Sequence, residues 1–289
     1  MTETEQQFTA LIVYLSLHGT TQQAVEVLTA GLVEAGVAAE AWNLSGRKEA
    51  GGWKKVFERI PAASLVVLAS PTYFHHAPPV FTEFVAAMPA AAGDQAAAIL
   101  STFGGVSSGV IQYDLARLLH RKEYRLLGGL QVLTEHCLTF QEDRPFHRGH
   151  PDRQDLDKIR AFGRDLARRL INSEPNGYLP QAFKDKSFWM NWIDRYVNRL
   201  NNFTWVMPKV KVDTEACTGC GQCVSWCPTG NITLDPLAVH GNNCTYCYGC
   251  VRHCPAGAAT AALKPAAPVV RGLARTFALT EPQVTRQVV

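Results

Sequence analysis

The spacing Cys217, Cys220, Cys223, Cys227-Pro228 recurs, with sixteen residues between Cys227 and Cys244, as Cys244, Cys247, Cys250, Cys254-Pro255. Nothing else in the chain restricts its fold as tightly. Two copies of C-x2-C-x2-C-x3-C-P must close around something that takes sulfur ligands in fours, and 4Fe-4S clusters do so. Three thiolates at i, i+3 and i+6 on a tight loop wrap three irons, while the fourth, followed by proline, turns toward the other centre. The expected ligand sets are therefore crossed: Cys217, Cys220, Cys223 and Cys254 on one cluster, Cys227, Cys244, Cys247 and Cys250 on the other. Gly219, Gly221 and Gly249 suit a backbone that bends closely round sulfide and aims amides at it. Zinc ribbons use pairs of C-x2-C without the third cysteine, and disulfides have no reason to keep this register.

With 289 residues and 47% hydrophobic composition the chain can build two domains with cores. A net charge of +3 does not point to nucleic acid or to a membrane surface. Eight of the nine cysteines belong to the duplicated motif, which needs reduced thiols and so an oxygen-poor, anaerobic cytoplasm. The N-terminal MTETEQQ is acidic and polar, unlike a signal peptide, and no apolar run has the length of a membrane span.

Residues Phe8 to Leu17 form an apolar run of the kind that a parallel strand buried on both faces requires. It leads into Ser16-Leu17-His18-Gly19-Thr20-Thr21 and then into a helical pattern through Val33. A hydroxyl-rich loop at a helix N-terminus is an anion site, and without a following lysine it suits one phosphate group better than a triphosphate. The alternation continues with strands over 37–44, 64–69, 96–101 and 130–135, and with helices over 53–60, 79–88, 110–123 and 152–170. Five strands alternating with five helices predict an α/β fold, a doubly wound five-stranded parallel sheet in the order 2-1-3-4-5. Ligands of such sheets lie beyond the C-terminal strand ends. There the first loop should meet Pro71, Thr72, Tyr73 and Phe74 after the third strand, and Thr102, Phe103, Gly104 and Gly105 after the fourth. A phosphate plus a flat ring fits these loops. No G-x-G-x-x-G follows a strand, so no nicotinamide site is expected.

These loops resemble the FMN site of flavodoxins, and the SPTY turn is similar to that of flavodoxin-like FMN reductases. In that family the first loop usually reads S/T-x-T-G-x-T; here His18 takes the place of the middle threonine, and its imidazole, cationic when protonated, stands in for a hydroxyl. The duplicated cysteine stretch resembles the bacterial two-cluster ferredoxin domain. With Glu135-His136 after the last strand and a short polar insertion, residues 8 to 262 together resemble the family of flavodoxin–ferredoxin fusion proteins. The resemblance implies electron transfer between two 4Fe-4S clusters and FMN, without naming a substrate.

The expected domains are 1–173, flavodoxin-like; 174–207, an aromatic-rich helical connector; 208–263, a small α+β two-cluster ferredoxin domain; and 264–289, a tail. The connector's aromatic residues suit packing between domains, or a homodimer contact. The tail is expected to wrap the cluster domain or to lack order. His75 and His76 after the aromatic turn, and His136 after the fifth strand, are the candidate catalytic acids and bases. Cys137 reads as a small buried hydrophobe, and the basic run Arg144, His147, Arg148, His150, Arg153 suits an acidic partner or an anionic substrate. The chain thus reads as a cytoplasmic iron–sulfur flavoprotein taking electrons from a ferredoxin-like one-electron donor. At the flavin it reduces a small molecule or a partner redox enzyme; the alternative is an electron carrier with no substrate of its own.

Overall fold

A computed structural model describes residues 8–45, 53–184, 204, 207–278 and 283–289. The first domain contains β1 (Thr9–Tyr14), α1 (Thr20–Glu34), β2 (Ala38–Asn43), α2 (Lys54–Phe57) and β3 (Leu65–Pro71). It continues with α3 (Pro79–Ala87), β4 (Ala96–Phe103), α4 (Ile111–Arg121), β5 (Arg125–Leu133) and α5 (Arg153–Ile171). The five strands run parallel in the order 2-1-3-4-5.

Strand periodicity explains the double burial. Leu11, Val13, Val66, Leu68, Ala97 and Ile99 face one side and pack with Phe81, Phe84 and Leu115 of α3 and α4. Their alternates Ile12, Val67, Ala69, Ala98 and Leu100 face the other side and pack with Leu28, Leu32, Ile159, Phe162 and Leu166 of α1 and α5. Helix α5 starts on a reciprocal cap: Asp152 Oδ1 accepts from the Asp155 amide at 3.0 Å, and Asp155 Oδ2 from the Asp152 amide at 2.9 Å.

Two elements differ from the sequence expectation. Strand β5 begins at Arg125, upstream of the expected residue 130. Gly128 and Gly129, which read as a loop, lie inside it because Phe162 crowds one and Gln112 and Phe183 crowd the other. The tail, expected on the cluster domain or without order, returns to the first domain. Helix α8 (Ala266–Phe277) is followed by β10 (Arg286–Gln287), which pairs antiparallel with β5 as a sixth strand. Thr285 fixes this return. Its buried hydroxyl accepts the Leu133 amide at 2.9 Å and its carbonyl accepts Lys158 Nζ at 2.9 Å. A two-residue strand carries no periodicity to read.

The second domain is small: β6 (Lys211–Val212) pairs with β9 (Ala259–Thr260), and β7 (Ile232–Asp235) with β8 (Leu237–His240). Two one-turn helices, α6 (Gln222–Ser225) and α7 (Gly249–Arg252), occupy equivalent places in the two halves of the cysteine repeat. Most of the aromatic connector, residues 185–203 and 205–206, lies outside the described residues. Among the described residues no helix is long and apolar enough to cross a membrane.

Candidate functional site

At the end of β1 the chain turns at Gly19, whose left-handed φ of 88° starts α1 without any side-chain cap. Ser16, fully buried, accepts the Gln22 amide on its hydroxyl at 3.1 Å. Thr21 Oγ1 lies 2.9 Å from Thr102 Oγ1. Both ring nitrogens of His18 are buried; neither makes a hydrogen bond of good geometry, and the Cys247 backbone is a polar neighbour of the ring. Burial first, then the Arg252 charge, lowers the His18 pKa to about 3. The imidazole is therefore neutral at neutral pH rather than cationic, and it retains one donor and one acceptor. A helix start with glycine at its cap position, the Thr20 and Thr21 hydroxyls and a buried imidazole fit an incoming phosphate.

The other two loops arrive at the same end of the sheet. Thr102 joins all three, since its hydroxyl meets Thr21 while its carbonyl accepts the Thr72 amide at 2.7 Å. After Pro71 and Thr72 the chain makes a two-residue turn: the Tyr73 and His76 backbones exchange hydrogen bonds of 2.6 and 2.9 Å across Phe74 and His75. Both central residues have positive φ, 44° and 68°. This is the twist of a type I′ turn, which usually takes Asn or Gly, so Phe74 and His75 hold strain that their surroundings must maintain. Gly109 and Val110 supply that restraint. The Val110 amide donates to the His75 carbonyl at 2.7 Å, and a Cβ on Gly109 would stand 2.1 Å from the same oxygen. Phe103 is buried at the end of β4, and the insertion after β5 lies over the next two residues, His136 against Gly104 and His147 against Gly105.

The three candidate histidines occupy different places. His76 Nδ1 is 2.8 Å from Asp114 Oδ2, in a cavity between α3 and α4 that Tyr73, Arg117 and Arg121 also line. His75 packs its ring on Phe277 of α8 at 5.3 Å. His136 has its pKa lowered to about 4 by burial and then by His147. Its Nδ1 accepts the Leu138 amide at 3.2 Å.

In the second domain, one cavity is lined by Cys217, Cys220, Cys223 and Cys254, and another by Cys227, Cys244, Cys247 and Cys250. Each expected crossed set thus gathers around one space. Amides point at the sulfurs: Asn231 N donates to Cys227 Sγ at 3.2 Å and Tyr246 N to Cys244 Sγ at 3.3 Å. Burial pushes the Cys247 and Cys250 thiols up to about 12, and the irons of a cluster would supply the positive charge that favours the ligating thiolate. Trp226 and His253, each preceding a crossing cysteine, stack with ring centroids 3.7 Å apart.

The two sets differ in depth. Cys220 is exposed, whereas Cys227, Cys247 and Cys250 are buried. Cys247 belongs to the same core as Leu15, Leu17 and Tyr73 of the first domain. A Cβ on Gly249 would lie 2.9 Å from the Leu17 carbonyl, so the second cysteine loop runs directly against the first loop of the flavodoxin-type domain. Tyr73 Oη lies 3.7 Å from Cys137 Sγ, and burial first, then Cys137 and Cys247, raise the Tyr73 pKa. Arg252 Nη1 bonds Glu135 Oε1 at 2.9 Å, tying α7 to the end of β5. Sequence reading did not single out Arg252 or Thr102's joining role, because both depend on how distant loops meet.

Two family models match the chain: that described as NADPH-dependent FMN reductase over residues 9–136, and that described as 4Fe-4S dicluster domain over 209–255. A search of the curated proteins returns no match. Among solved structures, a flavodoxin from the domain Archaea is 17% identical, with 56% of this chain and 99% of that one covered and a TM-score of 0.43. Rubredoxin oxygen:oxidoreductase from Desulfovibrio gigas is also 17% identical, with 59% of this chain but only 38% of that one covered and a TM-score of 0.45. Flavodoxin 1 from Bacillus cereus is 14% identical, with 55% and 97% covered and a TM-score of 0.39.

Proposed function

From the premise that the chain joins an FMN-reductase-type flavodoxin domain to a two-cluster ferredoxin domain, and is an iron–sulfur flavin oxidoreductase, we propose its electron path. Cys217, Cys220, Cys223 and Cys254 would hold a cluster that accepts single low-potential electrons, Cys227, Cys244, Cys247 and Cys250 one that would relay them, and the first domain the FMN that would receive them. A small molecule or a partner redox enzyme is reduced there with two electrons and two protons. The observation that carries this order is the burial of Cys247 in one core with Leu17 and Tyr73 while Cys220 faces solvent. A cytoplasmic ferredoxin-like donor meets the outer set first.

FMN, when bound, exchanges electrons singly and delivers them in pairs. The chain's residues do the rest. Ser16, His18, Gly19, Thr20 and Thr21 would hold the phosphate, and Pro71–Phe74 and Thr102–Gly105 would flank the ring. The insertion carrying His136 and His147 covers the Gly104–Gly105 loop, which supports substrate reduction over simple carriage. His76, held by Asp114, can move a proton in the adjoining cavity.

The test is anaerobic: iron and FMN are counted per chain, and reduction is followed with reduced ferredoxin and with NADPH as separate donors. Flavin reduction by ferredoxin that disappears when the outer cysteines are replaced supports the path. Reduction by NADPH alone, indifferent to both clusters, overturns it.

A further inference from the structure

The phosphate loop is not built by the first domain alone. The buried ring of His18 meets the backbone of Cys247, which belongs to the cluster domain. Phe140 from the insertion lies 6.4 Å from that ring between centroids, and the Arg252 charge of the cluster domain adds to burial in lowering the His18 pKa. Arg252 stacks its guanidinium over the same Phe140 ring at 5.5 Å. Glu135 holds one of its nitrogens at 2.9 Å, which fixes the fork's orientation and leaves its other donors for a second anion. Behind Arg252, the Gly249 backbone approaches the Leu17 carbonyl so closely that a side chain there would not fit. Helix α7 therefore rests on the first loop and carries Arg252, held by Glu135, at the same boundary.

We propose that Arg252, carried by the cluster domain, is a ligand of the FMN phosphate, so that the flavin site is composite and complete only when the cluster domain is docked. The inference rests on the FMN reading of the first loop. A phosphate monoester dianion at the start of α1 would receive hydroxyls from Thr20 and Thr21, the helix amides, the His18 imidazole, and one charged fork from across the domain boundary. Arginine suits this role better than lysine because one planar group can serve Glu135 and the phosphate together. The inner cluster loop and the flavin's anchor then share one short helix. Losing the fold of the cysteine loop should loosen the flavin even where no flavin contact is mutated.

The test compares FMN with riboflavin, which lacks the phosphate, on the full-length, iron-loaded protein after flavin removal. Fluorescence quenching gives both dissociation constants for wild type, Arg252→Ala and Arg252→Lys, with iron counted in each sample. Expected for Arg252→Ala is a loss of FMN affinity of about tenfold or more with riboflavin affinity unchanged, and for Arg252→Lys a smaller loss of the same kind. If FMN and riboflavin weaken together, or neither weakens, Arg252 is only a tie between domains and the proposal fails. Should Arg252→Ala lose iron, the Lys variant decides between the same outcomes. Wild-type protein that binds neither flavin would overturn the FMN reading itself, and that result is distinct because it appears without any substitution.

Discussion

Thr21 and Thr102 meet through their hydroxyls at 2.9 Å, buried, at the point where the start of α1 touches the end of β4. Replacing Thr21 by valine keeps the shape and leaves Thr102 Oγ1 without that partner. The expected cost is about 1–3 kcal/mol of stability, together with weaker FMN retention. Urea unfolding and flavin release on dilution measure the two separately. Unchanged flavin release would remove Thr21 from the phosphate site.

Gly109→Ala should be more damaging than its exposure-neutral chemistry suggests. The residue has φ +69°, and the new Cβ would stand 2.1 Å from the His75 carbonyl. The left-handed backbone alone costs about 1–2 kcal/mol for alanine. The clash would also unseat the Tyr73–His76 turn, so flavin binding should fall with stability. Thermal unfolding with and without added FMN checks this. A shift in stability with normal flavin binding would show that the turn does not grip the ring.

Crossed ligation predicts which variants share a residual spectrum. Cys254→Ala and Cys217→Ala should each leave the inner cluster, while Cys227→Ala and Cys244→Ala leave the outer one, with iron falling from about eight to about four per chain. Spin-resonance spectra of the reduced proteins compare them. If Cys254→Ala matches Cys250→Ala instead, the assignment of the fourth cysteines is wrong.

Acid should weaken the start of α5. Burial opposes the charge on Asp155, but the Thr285 hydroxyl, His150 and the Asp152 amide outweigh it and hold the carboxyl below its ordinary range. A depressed folded pKa means the contribution is present above the unfolded carboxylate value, about 4, and disappears as pH falls through the folded one. Urea midpoints measured from pH 6 downward should drop more steeply for wild type than for Asp155→Asn. Parallel profiles would locate the acid sensitivity elsewhere.

Much of the parallel sheet was legible because β1, β3 and β4 are buried on both faces and so read as continuous apolar runs. The cysteine sets were legible because ligand spacing is a local property. Distance along the chain hid the rest. The Phe74–His75 turn uses residues that turn chemistry would not choose, since Gly109 and Val110, more than thirty residues on, hold it in place. Glycines 128 and 129 read as a break until α5 and α4 are packed over them. Arg252 carries no local signal in the sequence, and the approach of Gly249 to Leu17 places its helix against the first loop.

The pairing of Arg286 and Gln287 with β5 has a consequence for biosynthesis. Both residues lie beyond all eight cluster cysteines, so the ribosome releases the whole iron-binding segment before the sheet of the first domain can receive its outermost strand. Domains emerging from the ribosome generally fold in order of synthesis. Here the first domain is begun early and finished late, leaving a span of translation in which the cysteine loops are available to the iron–sulfur assembly machinery while the edge of β5 is still unpaired.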